Sequence, residues 1–153
     1  MNKNQIIIII TIIIIIGVTS ISILRNSSKE KFELRIISNQ GENVDLMVEI
    51  ADDSEELQQG LMHRETLGVY EGMLFVFQTS DYHSFWMENT PIPLSIAFIN
   101  SNKTIVDIQD MEAYSREVHL PQSPCLYALE VNQGFFENHG IMIGDNVILP
   151  SQA

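Results

Sequence analysis

The sequence predicts an α+β fold: a mostly antiparallel curled sheet or partly open β-barrel with one or two short helices, plus an N-terminal hydrophobic helix. Three observations predict it. Short apolar stretches, several with period-two alternation, recur between turn residues, at spacings mostly too short for crossover connections. Only the stretch after Asp53 carries a helix start signal followed by core-facing residues. Ile6 to Leu24 is a run of 19 residues without a charge.

The first element is that run. As a helix it spans roughly 28 Å, close to a hydrocarbon core of about 30 Å. In lipid the backbone must satisfy its own hydrogen bonds, which forces a helix even on the isoleucine-rich Ile6–Ile16. Two readings stand. An uncleaved anchor fits the apolar continuation through Ile21, Ile23 and Leu24. A signal peptide fits Lys3 as basic region, Ile6–Ile16 as apolar core and Ser20-Ile21-Ser22 as the cut. No cysteine follows the apolar core, so a bacterial lipoprotein is excluded. Both readings place the domain outside the cytoplasm, in the periplasm or at the cell surface, and anchoring is the favoured expectation. The flanking charges, Lys3 on one side and Arg25, Lys29 and Lys31 on the other, do not fix the orientation. The expected organisation is a signal anchor or signal peptide over 1–25, a polar linker over 26–31 and a single globular domain over 32–153.

Within the domain, Phe32–Ile37 and Val44–Ile50 alternate apolar and polar residues around the turn residues 38–43, a hairpin pattern. Asp53 followed by Glu56 is a capping-box arrangement for a helix whose Leu57, Leu61 and Met62 face the core. Gly60 weakens or ends that helix, and Gly68 and Gly72 punctuate a loop. Met73–Phe77 is a short apolar run read as a buried strand, with Ser84–Met87 a candidate second. Two prolines exclude regular structure over Asn89–Pro93. Leu94–Ile99 and Thr104–Ile108 read as strands about a turn at Asn100–Asn102. Pro121 and Pro124 interrupt the chain, Leu126–Val131 is a strand, Gly134–His139 one helical turn, and Val147–Leu149 a last strand.

Charge narrows the function. Residues 1–29 carry Lys3, Arg25 and Lys29 and no acid, whereas from Ile36 onward three bases (Arg64, Lys103, Arg116) face 18 acids. Such a domain repels phosphate backbones, so nucleic acid is not an expected partner. Cys125 is the only cysteine, which rules out an internal disulfide and reads as a buried small apolar residue.

Four segments go together: Gly60-Leu61-Met62-His63-Arg64, Gly72-Met73-Leu74-Phe75-Val76-Phe77, Phe85-Trp86-Met87-Glu88-Asn89-Thr90 and Pro91-Ile92-Pro93-Leu94. In order and spacing they resemble domain-of-unknown-function family 192, also called uncharacterised protein family 0127. Leu129-Glu130-Val131 with Gly134, and Gly144-Asp145, resemble its C-terminal half, so the likeness covers roughly residues 34–150. The resemblance implies a compact mixed β fold with small helices, commonly behind a signal peptide or anchor. It implies no particular chemistry. Many members have an aspartate after the proline–leucine pair, where this chain has Ser95.

Three constellations carry possible chemistry. Trp86, Asn89 and Thr90 beside a proline turn suit a structural corner first, and otherwise a pocket with an aromatic floor and an amide donor. Met62, Met73 and Met87, with His63 and His83 nearby in sequence, have the donor types that select Cu(I) or similar soft ions, although methionine is also ordinary core filler. Arg64, Glu88, His119, Glu130 and Asp145 are the candidate acid–base groups. Glu130 lies inside an apolar strand and needs a partner or a raised pKa, so an ion pair with Arg64 is expected. The acids Asp52, Asp53, Glu55 and Glu56 lack the spacing of a calcium loop and suit a helix N-terminus. No nucleophile elbow, phosphate loop or zinc-protease motif is present. The expectation is therefore a membrane-tethered, non-enzymatic module. It would bind a small polar ligand, glycan or protein segment around Trp86, using Arg64, Asn89, Thr90 and Glu130. No cofactor is expected. Soft-metal binding, with copper held by Met62, His63, Met73, His83 and Met87, and a minor hydrolase activity are the alternatives.

Overall fold

Residues that alternate in polarity form strands here. Phe32–Ile37 (β1) and Val44–Ala51 (β2) pair antiparallel, with Phe32 opposite Val48 and Ile36 opposite Val44. The computed structural model describes residues 29–153, and these two are the first of seven strands in one sheet. The others are β3 (Glu71–Asp81), β4 (Leu94–Ile99), β5 (Ile105–Met111), β6 (Cys125–Asn132) and β7 (Asn146–Ile148). Their order is β5-β4-β6-β3-β2-β1-β7. Every neighbouring pair is antiparallel except β2–β3, which is parallel. A parallel pair needs a crossover, and the connection between these strands carries the helix α1 (Ser54–Gln59).

The sheet curls into a half-barrel. At one end β7 is stitched to the start of β5: Thr104 bridges Asn146, and Val147 N donates to Lys103 O at 2.8 Å. Leu34, Leu46, Leu74, Ala97, Ile105, Leu129 and Val147 come from all seven strands and fill the inner side, together with Phe135 and Phe136 of α2 (Phe135–Asn138). Met73, Phe75, Ile96, Phe98 and Ala128 form a second apolar cluster on the other face of the central strands, with Leu61 and Met87. Strand β4 is thus covered on both faces and all six of its residues are buried. That explains why Leu94–Ile99 is continuously apolar rather than alternating.

Two sequence readings need correction. Gly72 does not mark a loop: β3 runs from Glu71 to Asp81 and includes it. A Cβ at Gly72 would lie 2.5 Å from the carbonyl oxygen of Glu130, so glycine is there to let β3 and β6 approach. Ser84–Met87 is not a full strand but a single bridge, Phe85 to His119. The N-terminal hydrophobic helix expected over Ile6–Leu24 lies outside the described residues. Among the described residues no helix is long and apolar enough to cross a membrane.

Helix α1 starts where the sequence says it should. The Asp53 carboxylate accepts from Glu55 N at 2.9 Å and Glu56 N at 2.8 Å, while Glu56 Oε2 accepts from Asp52 N at 3.4 Å rather than from Asp53. The cap is exposed, so Asp53→Ala is expected to cost about 1 kcal/mol. A urea titration reads this as a lower midpoint with an unchanged slope; an unshifted midpoint counts against the capping role.

Candidate functional site

Period two decides where the side chains of β6 point. Tyr127, Leu129 and Val131 enter the inner cluster, so Ala128 and Glu130 face the other way. Glu130 stands level with Met73 on β3 and Ile96 on β4, neither of which carries a charged or strongly polar side-chain group. The residue is 4% exposed, no hydrogen bond or ion pair reaches its carboxyl among the described residues, and the carboxyl oxygens keep a little accessible surface rather than being sealed in the core. Burial alone pushes its pKa from 4.5 to about 8, so at pH 7 the group is mostly a neutral acid.

Glu130 lines a cavity of about 270 Å³. Leu57 and Leu61, from α1 and just beyond it, form one wall, and Phe75 and Phe77 of β3 another. Phe85 adds to this wall, with its ring edge-on to Phe75 at 5.0 Å and to Phe77 at 6.1 Å between centroids. Gly60 has φ +48°, and a Cβ there would come within 3.3 Å of the Phe75 ring, so the chain can turn tightly out of α1 against the aromatic wall. The exposed Gln58, Gln59, Ser84 and Trp86 mark the mouth, and buried Thr90 and half-buried Met62 complete the lining. Glu130 is the single ionisable side chain lining this cavity among the described residues.

The sequence candidates divide. Trp86, Thr90, Glu130 and Met62 meet at this cavity. Trp86 is half exposed and Met87 buried, as opposite faces of an extended segment require. Arg64 does not pair with Glu130. Its Nη1 donates to Glu49 Oε1 at 2.6 Å and its Nη2 to Glu49 Oε2, a bidentate pair with a carboxylate that is 3% exposed. That bond holds the Arg64 guanidinium above its ordinary pKa. Asn89 belongs elsewhere: with His63 and Tyr114 it lines a separate depression of about 260 Å³. Asn89 and His63 are both left-handed, and His63 N donates to Asn89 O at 2.8 Å.

Of the metal-type residues, Met73 and Met87 are each 1% exposed within the apolar cluster. His83 stacks on Phe77 at 3.6 Å, and neither it nor His63 lines the cavity. The remaining acid–base candidates hold structure. The Asp145 carboxylate accepts from Asn39 N at 2.8 Å and Met142 N at 2.9 Å, tying two turns together. Glu88 pairs with Arg116 at 2.8 Å on the surface. Gln109 Nε2 donates to Asp107 Oδ2 and to Leu120 O, each at 2.8 Å. Its Oε1 therefore faces His119 Nδ1 at 3.0 Å as an acceptor, which makes Nδ1 the donor of that bond, while His119 Nε2 is buried without a partner among the described residues. Ser95 donates to Asp110 Oδ1 at 2.5 Å and accepts from Gly134 N at 2.9 Å. Cys125 is fully buried, and burial pushes its thiol pKa up, which agrees with a packing role.

Comparison with known proteins fits this architecture. The model of the family described as DUF192, uncharacterized ACR, matches residues 35–149. The chain belongs to the DUF192 family. Two solved structures are similar to this DUF192 chain. One is a protein of Sinorhizobium meliloti 1021 described as a candidate transcription regulator: 35% identity, 80% of this chain and 96% of that chain covered, TM-score 0.77. The other is a protein of unknown function from Novosphingobium aromaticivorans DSM 12444: 32% identity, 81% and 89% covered, TM-score 0.77. No curated protein matches the chain. The first neighbour contains little beyond the matched region, and residues Lys31–Ala153 form one compact unit of this DUF192 chain.

The aromatic wall was not singled out from the sequence. Its signal was present: Met73, Phe75 and Phe77 alternate along one strand and so share a face.

Proposed function

We propose that this DUF192 domain is a binding module whose site is the cavity beneath Trp86, carried outside the cytoplasm on the segment Ile6–Leu24. One observation carries the binding reading: a buried carboxyl without a partner lines an open, aromatic-walled cavity. Unpartnered buried polar groups are costly, and a ligand that hydrogen-bonds Glu130 removes the cost. A concave site with aromatic walls and a few convergent polar groups is a common form of small-molecule site. Hydrolysis has less support, because acid–base catalysis needs a second group within reach and no other ionisable side chain lines this cavity among the described residues. A soft-metal site also has less support, since Met73 and Met87 are packed in the core away from any lining histidine. The regulator description of the S. meliloti protein does not extend to nucleic acid here, given 18 acids against three bases from Ile36 onward.

The test of the site uses fragment 31–153 and benzyl alcohol as a neutral probe, followed by amide chemical shifts and Trp86 fluorescence. Saturable shifts confined to the cavity lining, weakened in Trp86→Ala, are expected. Absent or scattered shifts with neutral, cationic and anionic benzyl probes alike would remove the reading. For the segment Ile6–Leu24, the support is its charge-free length. Mass spectrometry of the native N-terminus tests tethering: a mature chain beginning at Ile23 means secretion instead.

A further inference from the structure

The chemistry of the cavity narrows its ligand, on the footing that the cavity is a binding site. Three observations bear on it. First, Glu130 is deeply buried, unpartnered and faces the cavity from a row of apolar neighbours, Met73 and Ile96. Second, aromatic rings from Phe75, Phe77, Phe85 and Trp86 line the space around it. Aromatic faces attract cations, and more strongly once the cation is desolvated. Third, no lysine, arginine or histidine lines the cavity among the described residues, and the chain carries a net charge of −12. The surrounding field therefore concentrates cations and repels anions at the mouth.

We propose that the cavity binds an ammonium group on a short apolar arm, with Glu130 as its counter-ion and the aromatic walls around the arm. A neutral sugar is a poorer match, because its several hydroxyls need several convergent polar partners, and here the deep part of the cavity offers Glu130 and Thr90. A carboxylate or phosphate ligand faces an acidic group with no base to neutralise it. The volume of about 270 Å³ lies below the roughly 300–1,000 Å³ of drug-sized sites, which suits a small amine or one lysine side chain. Both sources present the same chemistry.

Binding is coupled to a proton. The ammonium is charged throughout the neutral range, and Glu130 must lose its proton to pair with it. The groups facing Glu130 from β3, β4, α1 and the Phe85–Thr90 segment bring no other charge to the cavity; the Glu49–Arg64 pair lies beyond Met73 in the same row and lines no part of it, and the Glu88–Arg116 pair lies on the surface outside it. As pH falls below about 8 the apparent affinity should drop, approaching tenfold per unit.

The experiment titrates fragment 31–153 with benzylammonium, benzyl alcohol and benzoate, by calorimetry in two buffers of different ionisation enthalpy. The expected result is benzylammonium at least tenfold tighter than benzyl alcohol, benzoate weakest, and close to one proton released per benzylammonium bound at pH 6.5. Glu130→Gln should lose the preference for the ammonium and the proton release that accompanies it. Equal or tighter binding of benzyl alcohol by the wild type, or no proton release, overturns the ammonium assignment while leaving the cavity as a site. Binding of no probe removes both. An acetylated Gly-Lys-Gly amide separates the two sources: binding with the same proton release assigns the arm to a lysine side chain, and exclusion of the peptide beside tight benzylammonium binding assigns it to a free amine.

Discussion

The thermal stability of fragment 31–153 is expected to fall, relative to Glu130→Gln, as pH rises from 5 to 8.5. The folded state raises the Glu130 pKa from 4.5 to about 8. The native state therefore binds a proton more tightly than the unfolded chain over that window, and stability falls wherever this is so. The stabilising contribution of the neutral acid is complete below about pH 4.5, is lost progressively as pH rises through 8, and changes no further above that. Each unit is worth about 1.4 kcal/mol, so the loss approaches about 5 kcal/mol if no water or ligand relieves it. The glutamine introduced by Glu130→Gln has the shape of the protonated acid and does not titrate. Comparing the two proteins removes the repulsion among the other acids. It also removes the opposite contribution of Glu71, whose pKa Lys31 holds low and whose effect falls at acid pH. Parallel melting curves for the two proteins from pH 5 to 8.5 would show that Glu130 is solvated or partnered in solution, and the ligand argument would fall with it.

Much of this fold was legible because burial writes itself into spacing. β1 and β2 alternate because one face of each meets the inner cluster. β4 is continuously apolar because both its faces are covered. The parallel pairing of β2 with β3 was not legible. Spacing reports which face of a strand is buried, but not which strand lies beside it, and here α1 takes up the intervening chain. The same limit applied to the site. Glu130 stood out as a carboxyl in an apolar run, and Trp86 as an aromatic before a proline turn. That they line one cavity while Asn89 lines another depends on the turn between them. At that turn Asn89 adopts φ +57° and faces His63, a backbone choice the sequence does not announce.

Arg64 shows the limit most clearly, and its removal is the second large effect. Glu49, Met73 and Glu130 lie in one row across β2, β3 and β6. Two buried carboxylates thus stand two strand spacings apart, roughly 10 Å, with a methionine between. Glu130 interrupts an apolar run, whereas Glu49 falls at a polar position of the alternating β2, so local sequence points to Glu130 and hides Glu49 as the partner of the arginine. The parallel crossover decides it, because the turn after α1 brings Arg64 down over β2. One carboxylate is thereby held as an ion pair and the other is left open to the cavity. Arg64→Ala strips the partner from a carboxylate that is 3% exposed, and breaking a buried pair from one side costs on the order of 3–5 kcal/mol. The Arg64 side chain is itself 31% exposed, which places the expected loss near the lower figure. The double variant Glu49→Ala, Arg64→Ala should recover part of that loss, because the stranded charge is gone; a double-variant cycle by urea unfolding reads the difference. Additive single losses would mean that the pair contributes nothing as a pair. The same cycle bears on the site. The pair anchors the turn that carries Leu61 and Met62 into the cavity wall, so Arg64→Ala should also weaken benzyl alcohol binding.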